Sequence, residues 1–268
     1  MMSEKEFDAE ALRARLAGRG IGHRFHFLSE VDSTNRLALQ LAQEGAPEGT
    51  VVLADCQTEG RGRLQRIWQS PPGCNLYVSV LLRPAIAAVD AARITLTAGV
   101  AVAETTSFFC PTGVGLKWPN DVRIRGRKVS GILTEMRMTG GSVDAVVVGI
   151  GINVNMTRAD FAPEHREAST SLREEMGKPC AREDVAFLLC EKLEQWYRVL
   201  LTEGFAPIRS RWLDLSEMGR GGVRVIFQGE AHEGVFAGID CDGALLLADA
   251  LGTLRRITAG DASIVKGM

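Results

Sequence analysis

Residues 60–68 read Gly60-Arg61-Gly62-Arg63-Leu64-Gln65-Arg66-Ile67-Trp68, three arginines within six positions of a chain whose formal net charge is −2. Guanidinium forks bind phosphate and carboxylate bidentately, and glycines let the backbone approach a ligand closely. Alone, the segment fits an anion-binding loop and a solvated surface loop equally well. Its surroundings decide between them. Residues 50–57 and 76–82, rich in Val and Leu, read as strands on either side, so the arginines lie on a strand connection, the Gly- and Arg-rich stretch 59–73.

Outward from this loop, the pattern is of mixed helices and strands. A charged helix is expected over 8–17, closed by Gly18 and Gly20, and a strand over 24–31. Asp32-Ser33 then caps a helix over 35–43. The long apolar stretch 90–109 reads as a buried helix. Residues 116–124 and 128–138 read as two strands joined by the turn Arg125-Gly126-Arg127, and the apolar run 145–150 as a central strand buried on both faces. Apolar positions 185, 189, 193, 196 and 200 recur at helical spacing. Pro207 and Gly219-Arg220-Gly221-Gly222 mark a boundary, beyond which the short pieces 223–227, 231–239, 244–248 and 254–257 suggest a small barrel.

A chain of 268 residues holds one large domain and a small one without disulfide staples. Its 46% apolar and 24% charged residues are ordinary for a globular protein, and the slightly acidic balance argues against a general nucleic-acid binder. The six cysteines (Cys56, Cys74, Cys110, Cys180, Cys190, Cys241) form no C-x-x-C pair, and reduced, mostly buried thiols are expected. There is no apolar signal core near the start and no run of the roughly 18 apolar residues that a membrane span needs. A cytoplasmic protein is expected.

Two further segments carry candidate chemistry. One is Lys117-Trp118-Pro119-Asn120-Asp121, followed by Lys128-Val129-Ser130-Gly131-Ile132-Leu133. A strand lysine beside a small residue suits charge stabilisation on a carboxylate attacking phosphorus, although such lysines more often merely edge a strand. The other is Gly149-Ile150-Gly151-Ile152-Asn153, whose glycines either admit a ligand beside the sheet or relieve crowding. No P-loop occurs, and Gly149-x-Gly151 lacks the third glycine of a dinucleotide fingerprint. The four histidines form no catalytic pattern with Ser or Cys.

Taken in order, these segments resemble the biotin protein ligase family: Asp32-Ser33-Thr34-Asn35, Gln57 leading into Gly60-Arg61-Gly62-Arg63, Trp68, Asn75-Leu76-Tyr77, Lys117 to Asp121, Lys128 with Gly131-Ile132-Leu133, and Gly149 to Asn153. The resemblance runs from about Phe25 to the C-terminus. It implies an α+β fold: a catalytic domain like that of class II aminoacyl-tRNA synthetases, with a mixed, largely antiparallel sheet over 1–218 (1–22 a helix and lead-in), then a small SH3-like β-barrel over 219–268. It implies ATP-dependent activation of biotin to biotinyl-5'-AMP and transfer to a lysine of a biotin carboxyl carrier protein, with Mg²⁺ carried by ATP, no dedicated protein metal site, and a homodimer.

Carried over by position, Lys128 and Arg63 are the catalytic candidates. Ser33, Thr34, Asn35, Gln57, Gly60, Arg61, Gly62, Arg63, Lys128, Gly131 and Gly149 are expected on the biotin side. Arg61, Arg63, Arg66, Trp68, Asn120, Asp121, Lys128 and Asn153 are expected on the nucleotide side. One departure stands out: Gln65 occupies a position where the family's loop has glycine. A lipoate ligase shares the fold and the adenylation, but the loop with Trp68 and the barrel favour biotin. A biotin-responsive DNA-binding repressor is the rival of another class. The roughly 25 residues before the first catalytic strand are too few for a three-helix DNA-reading module, so no specific DNA binding is expected.

Overall fold

The computed structural model describes residues 6–219, 222–227 and 229–265, so Arg220 and Gly221 of the expected boundary lie outside the described residues. In chain order come α1 (Ala9–Leu16), β1 (Arg24–Val31), α2 (Thr34–Gln43), β2 (Thr50–Gln57), β3 (Leu76–Leu82), α3 (Ala91–Phe109), β4 (Val114–Lys117), β5 (Asp121–Ile124), β6 (Arg127–Thr139), β7 (Ser142–Ile152), α4 (Leu172–Met176), α5 (Arg182–Glu203) and α6 (Ala206–Asp214). The strands β8 (Gly222–Phe227), β9 (Glu230–Ile239), β10 (Leu245–Ala248), β11 (Leu254–Ile257) and β12 (Asp261–Val265) follow.

Seven strands form one sheet in the order β1-β2-β3-β7-β6-β5-β4, mixed because β1 and β2 run parallel while the other pairs are antiparallel. The apolar run at 145–150 lies in β7, at the centre. Side chains alternate along it. Val146, Val148, Ile150 and Ile152 join the main core with α3 and α5, while Ala145 and Val147 pack with Val52 and Leu81 under α2. Inside α3, the buried hydroxyls of Thr97, Thr105 and Thr106 donate to carbonyls one turn back, which satisfies them without breaking the helix. The remaining five strands form a second, antiparallel sheet, β11-β10-β9-β8-β12, as expected of the small barrel.

Two expectations need correcting. Residues 116–124 are not one strand. Trp118-Pro119, joined by a cis peptide bond, turns the chain so that β4 and β5 pair as a hairpin with Lys117 opposite Asp121. Proline offers no N–H to a ladder, so it ends the strand. Pro207 likewise sits in the first turn of α6 rather than at a boundary, where its missing N–H has no helical partner to lose.

Candidate active site

The face of β7 that α2 covers continues past the start of that helix as Gly149 and Gly151, with Gly131 of β6 paired to Gly151. Where Ala145 and Val147 meet α2, the glycines leave the sheet bare. A side chain at Gly149 would collide with Asn35, and one at Gly151 with the indole of Trp68. A cavity of about 720 Å³ opens here. That is within the usual range for a small-molecule site. Its floor is the glycine track, one wall is the first turn of α2, and residues 61–69 cover it.

The hydroxyls and amides that line the α2 end are uncharged and tightly networked. Gln57 Oε1 accepts from Thr34 N at 2.9 Å and from Thr34 Oγ1 at 3.1 Å, and Gln57 Nε2 donates to Ser70 Oγ at 3.0 Å. Ser79 Oγ lies 2.6 Å from Asn35 Oδ1 and 2.8 Å from Thr34 Oγ1. Ser33, Thr34 and Asn35 are all buried, so these groups are pre-oriented.

The other end is cationic. Lys128 Nζ lies 2.6 Å from Asp121 Oδ1, and Lys117 Nζ is 3.8 Å from the other carboxylate oxygen. Burial pushes the Lys117 ammonium below its ordinary value, partly offset by Asp121. The Lys128 ammonium stands 5.4 Å from the centre of the Trp68 ring, a cation–π contact. The lysine's backbone is clamped on both sides, its N–H to the Ala168 carbonyl and its carbonyl to the Thr170 N–H. Below that turn the buried Glu175 carboxylate binds Arg125, Arg127 and Thr170, each at 2.7 Å.

Every arginine of the loop has a protein acceptor. Arg61 Nη2 donates to Glu135 Oε2 at 3.0 Å, Arg63 to Asn120 Oδ1 at 3.1 Å and to the Gly260 carbonyl at 2.9 Å, and Arg66 pairs with Asp261 at 2.5 Å. Burial lowers the Arg63 guanidinium from its ordinary value, with Asp261 and Asp121 opposing. Gln65 has φ +59°, following Leu64 at +53°. Gln65 thus stands in a left-handed conformation, which a side chain adopts at a cost.

Of the residues singled out in the sequence, Ser33, Thr34, Asn35, Gln57, Arg61, Gly62, Arg63, Arg66, Trp68, Asn120, Asp121, Lys128, Gly131, Gly149 and Asn153 line this cavity. Gly60 does not. Its carbonyl accepts from Trp68 N at the base of the loop. Asn153 is buried, and its Nδ2 donates to the Thr170 carbonyl at 3.0 Å. The cavity also takes in Lys117, Tyr77, Gly151, Asp261, and Phe161 and His165 from the segment after β7, none of them assigned from sequence. Lys117, Tyr77 and Gly151 lie within the motifs above, whereas residues 158–169 carry no such pattern.

The chain is similar to proteins of one family along most of its length. The Biotin/lipoate A/B protein ligase family matches residues 27–153, and the Biotin protein ligase C terminal domain matches 222–265. The bifunctional ligase/repressor BirA of Bacillus spizizenii is 37% identical over 256 residues, covering 93% of this chain and 77% of the relative. The biotin–[acetyl-CoA-carboxylase] ligase of Mycobacterium tuberculosis is 34% identical over 95% of this chain and 94% of its own length. Among solved structures, the biotin protein ligase from Aquifex aeolicus in complex with biotin and ATP superposes with a TM-score of 0.78, at 29% identity, over 91% of this chain and 99% of that one. Such likeness, carried through both sheets by relatives matched over most of their length, means that the chain belongs to the biotin protein ligase family.

Proposed function

We propose that this protein activates biotin with ATP to biotinyl-5'-AMP and transfers the biotinyl group to a lysine of a biotin carboxyl carrier domain. The observation that carries this reading is a single cavity with two chemically distinct ends. The neutral hydroxyls and amides of Ser33, Thr34, Asn35 and Gln57 suit a ureido group, and the Lys128, Lys117 and arginine end suits a carboxylate meeting a phosphate. The glycine track between them suits an aliphatic chain.

The chemistry follows from the charges. Biotin's carboxylate oxygen attacks the α-phosphorus and pyrophosphate leaves. The amine of the acceptor lysine then attacks the carbonyl of the mixed anhydride, loses a proton, and AMP departs. Negative charge gathers on the phosphate oxygens in the first step, where Lys128 and Arg63 supply fixed positive charge in a partly desolvated site. Covering by the arginine loop keeps water from the anhydride. Mg²⁺ is brought by the phosphates of ATP. Asp121 already faces both lysines, and no group of three or more potential metal-ligating side chains occurs among the described residues.

The fitting acceptor is the carrier domain of acetyl-CoA carboxylase or a related carboxylase. The reading further takes 1–218 as the catalytic unit and 219–268 as the barrel, a homodimer as the working form, the cytoplasm as its place, and no sequence-specific DNA contact, in keeping with the net charge of −2. No helix of the described residues is long and apolar enough to cross a membrane. The test is biotin-dependent exchange of pyrophosphate into ATP, with lipoate as control. Exchange with biotin alone is expected, and exchange driven by lipoate and not by biotin would overturn the assignment.

A further inference from the structure

One acidic side chain at the edge of the cavity has no part in the chemistry above. Glu135 stands on β6, on the same face as Gly131 and Leu133, and its side chain is 25% exposed. Its Oε2 accepts from Asn35 Nδ2 at 2.7 Å and from Arg61 Nη2 at 3.0 Å. The two donors come from different parts of the site: Asn35 from the wall that α2 provides, Arg61 from the loop that covers it.

The consequences for Asn35 are specific. Its Nδ2 also donates to the Leu133 carbonyl at 3.1 Å, while its Oδ1 faces Ser79 Oγ. An ionised carboxylate and a backbone carbonyl only accept. Turning the amide over would set its oxygen against both, so Glu135 helps to hold the Asn35 carbonyl oxygen on the Ser79 side, above Gly149. The consequences for the loop are equally direct. Arg61 is bridged to Ile67 by backbone pairing, and its guanidinium reaches across to β6. The Glu135 carboxylate is therefore the point at which the wall and the cover are tied.

We propose that Glu135 is a positioning residue and a latch: it orients Asn35 in the wall of the site and holds the arginine loop down through Arg61, so that ordering the wall and closing the loop are coupled. The identity of the ligand in that wall rests on the ligase reading; the latch does not.

The test uses Glu135→Gln, Arg61→Gln and the double variant in the full chain, with thermal midpoints as a check on folding. A hydrogen bond to a charged group, discounted for partial exposure, implies about tenfold faster hydrogen exchange over residues 60–68 without ligand in either single variant. The double variant should exchange no faster than the singles, because one tie is lost in each case. In biotin-dependent pyrophosphate exchange, Glu135→Gln should raise the KM for biotin about tenfold and lower kcat by a smaller factor. Loop exchange as slow as wild type, additive effects in the double variant, or a fall in kcat with KM unchanged would each overturn the proposal. Should Glu135→Gln fail to fold, Arg61→Gln decides the latch, since its side chain is 39% exposed and its loss leaves no buried partner behind. A wild type inactive with biotin would instead sink the ligase reading, and the hydrogen-exchange arm would still decide the latch.

Discussion

Lys128 is the residue on which the chemistry depends most. Its backbone is tied on both sides, its ammonium stands between Asp121 and the Trp68 ring, and it lines the cavity opposite the neutral network. Removing one preorganised charge-stabilising group costs about 2.7–4 kcal/mol, or two to three orders of magnitude in rate. Lys128→Ala should therefore lose adenylate formation to that extent while its thermal unfolding stays near wild type. Pyrophosphate exchange at a normal rate would remove Lys128 from the mechanism. Gln65 makes the opposite kind of prediction. It holds a left-handed conformation with φ +59° and no glycine's freedom. Relief of that strain, about 1–2 kcal/mol, outweighs the roughly 0.5–1 kcal/mol entropy cost of glycine. Gln65→Gly should thus slow hydrogen exchange in the loop, and faster exchange would show that the Gln65 side chain holds the turn by contacts rather than straining it.

Among the elements, the arginine loop behaves as a lid already provided with partners. The sequence argues for a mobile loop, because three like charges repel and glycines raise the entropy of ordering. In the structure the carboxylates of Glu135 and Asp261, with Asn120 and the Gly260 carbonyl, hold those charges. A ligand phosphate competes with, or adds to, acceptors the protein itself supplies. Arg63 makes two of these contacts and is the most enclosed of the three. Arg63→Gly should weaken retention of the adenylate more than its synthesis, seen as indiscriminate labelling of bystander lysines. Labelling confined to the carrier would rule this out. The same loop shows where the sequence was legible and where it was not. Its residues, the glycine track and the main strands could be read because each is a local pattern of charge, small size or alternation. The roles of Glu135 and Asp261 at the site could not, because what they do depends on residues 74 and 195 positions away in sequence, Arg61 and Arg66. The turn at 118–120 and helix α6 are hidden for a local reason: Pro119 sits inside an otherwise strand-like run, and Pro207 reads as a breaker although the first turn of a helix accepts it.

At the scale of the whole molecule, the barrel is part of the site as well as an appendage to it. Its Asp261 lines the cavity and holds Arg66, and Gly260 holds Arg63. The joint is specific: the buried Trp118 indole donates to the Gly243 carbonyl at 3.0 Å, Arg93 pairs with Asp242 at 2.7 Å, and Arg209 Nε donates to the Ile239 carbonyl at 2.6 Å. Trp212 of α6, 1% exposed, packs against Phe236 of β9 with ring centres 6.4 Å apart. Val223, Val225, Ile239, Leu245, Leu247, Ile257 and Ala262 of the barrel belong to the same apolar cluster as the catalytic sheet. Because the two parts share this apolar cluster, unfolding is expected as a single transition. Trp212→Ala, remote from the chemistry, tests this most sharply. Truncating a buried tryptophan costs about 3–5 kcal/mol, and the whole transition should move down together, followed alike by tryptophan fluorescence, far-ultraviolet dichroism and loss of pyrophosphate exchange. Two separate transitions, with exchange surviving the first, would mean that the barrel is an independent unit and that Asp261 is dispensable to the site. Coincidence of all three probes would mean that closing the arginine loop draws on the stability of the entire chain.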